Sequence, residues 1–408
     1  MRRLLLLSMA GLVPALFLLV AWKYLPMPLL WGLGGVVVSA IVVASKFRDG
    51  IRVAAVNIAA IAFLLGTAEA YLSAAGPSHF RDREPLSLST AQAHLPAGED
   101  WEEISSGDGQ RLFTTGNLNR LDPYLGYTHA ANARGRVVRY DGGFLIYDVE
   151  YRTAADTLRR VVGADGVDPA APAIALFGGS HTFGLGVAEP DTAASIIQAG
   201  VEGRYRVLNF GTSGAGASNM LAEIESGLVE SALGGRQLAH AIYGIHPHHV
   251  QRAVGDCHWA EGIPKYELRD GRPVHAGLFQ GAAVDPAYSR RVQWLLYNLG
   301  KSALLSRISE RFISPAQGDD LFLALIREAD RRLQERYGIG LTIVHWKPFG
   351  IGQGRISAAF RDAGIREYDS THVFRAFSPE THYLPRYDHG NARAQREFAE
   401  FVLENVIE

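Results

Sequence analysis

The sequence predicts an α/β domain built on a doubly wound parallel sheet, preceded by a small β extension and by three transmembrane helices. Three observations lead there. From Ala173 onward, short apolar runs alternate with helix-like stretches, the pattern of strand–helix–strand units around a parallel sheet. The first run, Ala173–Phe177, leads into Gly178-Gly179-Ser180-His181-Thr182-Phe183-Gly184, which reads as a strand turning tightly towards a helix. Three long apolar runs, with Glu69 their single charged residue, also crowd the first 75 residues.

Those runs are Leu4–Ala21, Pro28–Ser45 and Val53–Ala75. Each approaches the roughly 20 residues a helix needs to span hydrocarbon. No small-residue cleavage site precedes Lys23, so three spans are expected rather than a cleaved signal peptide. Arg2, Arg3, Lys46, Arg48 and Arg52 outweigh the lone Lys23 of the first loop, which places the N-terminus in the cytoplasm. Everything after Ala75 is then expected on the far side. That gives a multi-pass protein of a bacterial inner membrane, in contact with the lipid bilayer, with its main domain periplasmic. Glu69 reads either as snorkelling to the interface or as a helix–helix contact.

Residues 76–120 read as a polar tether. A β extension is expected over 121–165, where Val137–Tyr140 and Leu145–Tyr151 flank the turn signal Asp141-Gly142-Gly143. The α/β core is expected over 171–408. Its strands are Ala173–Phe177, Tyr205–Phe210, Ala239–Ile245, Leu341–Trp346 and Ile365–Tyr368. Its helices are Ala193–Val201, Asn219–Leu233, Ser289–Leu305, Leu321–Tyr337 and Arg393–Ile407. Asp191 or Thr192 caps the first helix. Asp256–Tyr288 breaks the alternation and reads as an insertion over one face of the sheet.

The totals narrow the function. The chain has 408 residues and a net charge of -2, so nothing argues for general affinity for nucleic acid. A single cysteine, Cys257, rules out an internal disulfide framework.

Chemistry-bearing residues collect where strands end, the place ligands bind in open α/β sheets. Ser180 follows the first strand. Asn209-Phe210-Gly211-Thr212-Ser213-Gly214 follows the second, and His246-Pro247-His248-His249 the third. Asp388-His389-Gly390-Asn391 precedes the last helix. A serine hydroxyl becomes a nucleophile when a base takes its proton, and imidazole titrates in the right range to do so.

Together these blocks, spanning roughly 173–407, resemble the SGNH (GDSL-like) hydrolases. The resemblance implies their flavodoxin-like sheet order, with Ser180 as nucleophile and His389 as base. It also implies an oxyanion hole made by the backbone of Ser180, the backbone of Gly214 and a side chain from the third block. The usual aspartate before the serine is Gly179 here, and the usual asparagine of the third block is replaced by His248, with His246 as the other registration. The triad aspartate is expected at Asp388, directly beside His389. A backbone carbonyl or Asp369 is the alternative, and Asp369-Ser370-Thr371-His372 is the weaker registration of the whole block. The implied activity is an esterase or O-acyltransferase acting on O-acyl, chiefly O-acetyl, groups of envelope or exported polysaccharide. No cofactor or metal is implied, and a membrane-bound O-acyltransferase is a candidate partner for transfer. The rival reading is a non-catalytic carbohydrate-binding or assembly factor.

Other features have plainer readings. His246, His248, His249 and His258 suggest a metal site only by clustering, without an acidic partner at ligand spacing. His181 is poorly placed as a base for its neighbour Ser180 and reads as a pocket wall. Trp259, Trp294 and Trp346 read as core or interface, with Trp346 near the site. The charges from Arg327 to Arg336 read as a solvated helix face.

Overall fold

A computed structural model of the protein describes residues 95, 100–105, 110–141, 144–257, 260–280, 316–346, 353–368, 379–385 and 387–407. All belong to one compact unit, 82–285 with 315–408; the second unit, 1–81 with 286–314, lies outside the described residues.

Fifteen strands are described, β1 to β15. In chain order they are Glu102–Ser105, Gln110–Thr114, Asn119–Asp122, Gly126–His129, Arg134–Asp141, Phe144–Arg152, Ala173–Gly178, Arg206–Asn209, Leu238–Ile245, Pro264–Arg269, Arg272–Leu278, Leu341–His345, Arg366–Tyr368, Tyr383–Leu384 and Tyr387–Gly390. The α-helices, α1 to α9, are Ser180–Phe183, Ala193–Gly200, Ala217–Glu225, Leu228–Leu233, His248–Ala253, Ala316–Tyr337, Gln353–Asp362, Pro379–His382 and Ala392–Asn405.

The main sheet has five strands in the order β13-β12-β9-β7-β8, and every pair is parallel. Numbered from the first of the five, that order is 2-1-3-4-5, with its switch point between β7 and β9. Sequence alternation explains the double winding. Ala173, Ala175 and Phe177 of β7 pack into one core with α3 and α6. Ile174 and Leu176 point the other way, into a second core with α2 and α9. A strand buried on both faces reads as a continuous apolar run, which is how 173–177 reads. Thr192 is the residue that caps α2, its hydroxyl accepting from the Ser195 N–H at 3.3 Å. The long helix expected over Asn219–Leu233 is two, α3 and α4, parted at Gly227.

The β extension is larger than its sequence suggests. β1, β2, β5 and β6 form an antiparallel sheet, so residues 102–105 and 110–114, expected in the tether, are strands. Phe113 accounts for this: it is buried with Val138 and Tyr140 of β5, an anchor that a polar linker lacks. The expected insertion contains the hairpin β10–β11. It is tied to the core where Tyr266 and Tyr124 both donate to Glu225, at 2.9 and 3.0 Å.

Among the described residues no helix is long and apolar enough to cross a membrane. The longest, α6, has 22 residues but is crowded with charge between Arg327 and Arg336; Arg327, Glu335 and Arg336 are exposed as a solvated face requires, whereas Glu328 and Asp330 are buried. This corrects the expectation of three transmembrane helices and of a multi-pass inner-membrane protein with a periplasmic domain. The runs Leu4–Ala21, Pro28–Ser45 and Val53–Ala75, like the helix expected over Ser289–Leu305, lie outside the described residues.

Phe183, just past Ser180, fastens the extension to the parallel sheet. His129 of β4 stacks on its ring at 5.2 Å, and the buried Arg159 guanidinium lies 5.1 Å from it and 4.7 Å from Tyr151. Burial, reinforced by the charge of Arg159, pushes His129 down to about 4. The unfolded chain takes up this proton near pH 6.5 and the folded one only near pH 4. The unfolded state therefore binds more protons between those values, and stability falls as pH drops through that window. The full effect is on the order of 3 kcal/mol. The melting temperature is expected to fall between pH 6.5 and 4, and less steeply in His129→Asn. An unchanged slope in that variant contradicts the assignment.

Candidate active site

Ser180 is the first residue of α1, a single turn at the carboxyl end of β7. Its N–H therefore has no partner within the helix. The turn is held by side chains from four directions. The Trp346 indole donates to the Thr182 hydroxyl at 3.1 Å, and the Asn209 amide to the Thr182 carbonyl at 3.0 Å. Gln395 donates to the His181 carbonyl at 2.9 Å, and the Gly186 N–H to the Tyr151 hydroxyl at 2.7 Å.

His389 is brought in by the short hairpin β14–β15. Asn391 caps the following helix, its side chain accepting from the N–H groups of Arg393 and Ala394. Behind the hairpin the buried His382 is 3.0 Å from Glu397. Burial tends to raise the Glu397 carboxyl, but hydrogen bonds from Arg393 and His382 outweigh it and hold that group below its ordinary value.

The result is a 2.8 Å hydrogen bond between Ser180 Oγ and His389 Nε2, with Ser180 4% exposed. The imidazole is sandwiched. Tyr387 lies on one face, ring centroids 4.3 Å apart and 12° from parallel; His181 lies on the other, at 5.0 Å and 11°. The stack continues outward from Tyr387 to the Arg139 guanidinium at 4.2 Å. On the other side it runs from His181 to His246 at 4.9 Å, then to His248 at 4.9 Å.

Asp388 takes a different place. Successive strand side chains point to opposite faces, so Tyr387 and His389 share one face and Asp388 projects from the other. It is exposed, and its carboxylate bonds the Tyr383 phenol, which burial and this acceptor together push up. Asp369 and His372 lie outside the described residues, as do His258, Trp259 and Trp294.

Gly214 sits in the loop after β8 with φ 84°, a conformation glycine adopts without strain. Its N–H bonds to no described residue. The loop is joined to β7 by the Thr212 N–H, which donates to the Gly178 carbonyl at 3.2 Å. In the third block, His246 is buried against His181. His248 is exposed, one ring further out, with Nδ1 3.1 Å from Gln251. The structure thus brings together Ser180, His389, Gly214 and His246, and sets His248 at the margin.

Arg252 and His249 explain why glycine stands at 179. A Cβ there would lie 2.8 Å from Arg252 Nη1 and 2.9 Å from both the Ala215 carbonyl oxygen and His249 Nε2. The buried Arg252 donates to that same carbonyl at 2.7 Å, steadying the loop that carries Gly214. His249 accepts at Nδ1 from the Tyr243 hydroxyl at 2.7 Å and from the His246 N–H at 3.3 Å. Burial, with Arg252 nearby, pushes it well below the ordinary histidine range, so it is neutral and carries its proton on Nε2. Sequence reasoning missed Tyr387, Arg139 and Arg252. The first was accessible from strand alternation around His389; the other two carry no sequence signal.

Among the described residues no three His, Cys, Asp or Glu side chains group to hold a metal ion. No family model matches this chain, and no curated protein matches it.

Gly179→Ala is expected to cost about 1–3 kcal/mol, because the new methyl meets backbone at the Ala215 carbonyl as well as side chains. The measurement is thermal unfolding beside wild type. An unchanged melting temperature contradicts the packing described.

Proposed function

We propose that this protein is a serine ester hydrolase or acyltransferase of the SGNH type, in which Ser180 is the nucleophile and His389 its base. The observation that carries this reading is the 2.8 Å bond between Ser180 Oγ and His389 Nε2, a separation suited to direct proton transfer.

In the proposed reaction, Ser180 Oγ attacks the carbonyl carbon of an ester and its proton passes to His389 Nε2. The carbonyl oxygen becomes an oxyanion. It is met by the N–H of Ser180 at the start of α1 and by the N–H of Gly214. A single donor of this kind contributes roughly 3 kcal/mol. Collapse of the intermediate breaks the bond to the alcohol oxygen, which takes the proton from His389. Water, or another hydroxyl, then attacks the acyl-serine with the same proton relay. Stacking by Tyr387 and His181 fixes the plane of the imidazole throughout, so the base needs little reorganisation.

The non-catalytic rival gains nothing from this geometry, since a binding module does not need a buried serine aligned on an imidazole. The expectation of a polysaccharide substrate rested on an extracytoplasmic location and on the family resemblance, and the first of these is not supported by any described helix.

The test uses p-nitrophenyl acetate. Wild-type protein is expected to turn it over, with Ser180→Ala and His389→Ala each lowering kcat by about a thousandfold or more. Equal rates in wild type and Ser180→Ala, from folded protein, refute the assignment.

A further inference from the structure

The antiparallel extension sends two buried arginines towards the candidate active site, one behind each member of the Ser180–His389 pair. Arg139 stands on β5 and is 8% exposed; Arg159 follows β6 and is 1% exposed. The Arg139 guanidinium lies 4.2 Å over the ring of Tyr387, and that ring is stacked on His389 at 4.3 Å. The Arg159 guanidinium lies 5.1 Å from the ring of Phe183, in the same single helical turn as Ser180. Its backbone bridges to Asn209, whose amide holds the Thr182 carbonyl of that turn.

These are costly residues to bury. Arg139 donates to the Gln110 amide oxygen at 2.6 Å and bonds the Tyr147 phenol, two uncharged groups. Arg159 donates from Nη1 to the Arg152 carbonyl at 3.4 Å, while its Nε and Nη2 groups meet no acceptor among the described residues. Glu189 bears on Arg159 by its charge but is bonded to Arg160 at 3.3 Å. A guanidinium stays charged even so. Buried N–H groups left without acceptors oppose folding, and an apolar side chain of similar volume often packs as well or better. What an apolar side chain does not supply is the charge.

Positive charge near an imidazole disfavours its protonated form. Two carboxylates flank the hairpin that carries His389, and each is engaged elsewhere. Asp388 bonds Tyr383 on the other face of β15, and Glu397 is held by His382 and Arg393 behind the hairpin. The buried Arg252, under the loop after β8, adds a third cation. Besides Ser180, the groups facing the His389 ring are the Tyr387 phenol and the His181 imidazole, with His246 behind it. We propose that Arg139 and Arg159 are positioning residues, fixed charges acting through Tyr387 and Phe183 to keep His389 neutral and able to accept a proton. The use of that neutral base rests on the esterase or acyltransferase reading above; the action of the charges on His389 does not.

The test is an NMR pH titration of the full chain with isotope-labelled histidine, the His389 signal being the one lost in His389→Gln. Arg139→Met is expected to raise the proton affinity of His389 by about tenfold, so that its midpoint moves up by about one pH unit. Arg159→Met, with Phe183 and the turn between it and the base, should raise it by about threefold. Arg139→Lys and Arg159→Lys give up the flat ring contact but keep a charge, and should leave the midpoint within about twofold of wild type. In p-nitrophenyl acetate turnover the acid limb of kcat/KM should move with the midpoint. An unmoved midpoint in the Met variants, or an equal shift in the Lys variants, overturns the proposal. A Met variant that fails to fold also counts against it, since the arginine would then be a structural need. Because the titration needs no turnover, the expected shifts in a protein without Ser180-dependent esterase activity would sink the catalytic reading alone. Esterase activity with an unmoved His389 midpoint would sink this proposal alone.

Discussion

The arrangement depends on one imidazole being held in plane while it faces a serine 209 residues away in sequence. Two neighbours of different origin do this. Tyr387 arrives on the same strand as His389, two residues earlier, so the strand's own pleat puts both rings on one side. His181 arrives from the nucleophile's turn, directly after Ser180. The groups that meet at the reacting atoms therefore also grip one another. A shift of either element loosens the stack as well as the hydrogen bond.

The surroundings resist such a shift. The turn bearing Ser180 is tied through Thr182 to β8 and to the residue after β12, and through His181 to α9. A hydrogen bond of this kind is worth about 1 kcal/mol net, but leaving its partner buried and unmade costs more. Under them lie the two cores on either face of the sheet, where each fully buried Ile, Leu or Phe contributes about 1.5–3 kcal/mol. The site thus stands at the switch point of a sheet whose strands are fixed from both sides. The antiparallel extension adds the remaining restraint, since Phe183 is fastened to His129, Tyr151 and Arg159.

Much of this was legible in the residues, and unevenly. The parallel strands announced themselves because burial on both faces leaves continuous apolar runs such as 173–177 and 341–345. Ser180 and His389 stood out because each is flanked by turn-forming or helix-capping residues at a strand end. Asp388 misled because adjacency in sequence is separation across a strand. His248 misled for a related reason: the chain enters α5 at Pro247, so His246 stays with the buried strand end while His248 turns outward. β1 and β2 were hidden because their pairing depends on Phe113 meeting β5 some 25 residues later, a contact no local pattern encodes. Gly179 looked like a lost carboxylate; the structure gives its position to Arg252 and His249, which come from a helix that the local pattern did not reveal.

The most direct measurement is covalent capture of the nucleophile. Wild-type protein is treated with an alkyl fluorophosphonate, which loses fluoride as a serine oxygen bonds to phosphorus, and the adduct is located by peptide mass spectrometry. The account predicts a single adduct on Ser180, formed far more slowly in His389→Gln and also slowed in Tyr387→Leu, where the imidazole loses one of its two ring neighbours. An adduct on another serine, or labelling of Ser180 at the same rate in all three proteins, would contradict it.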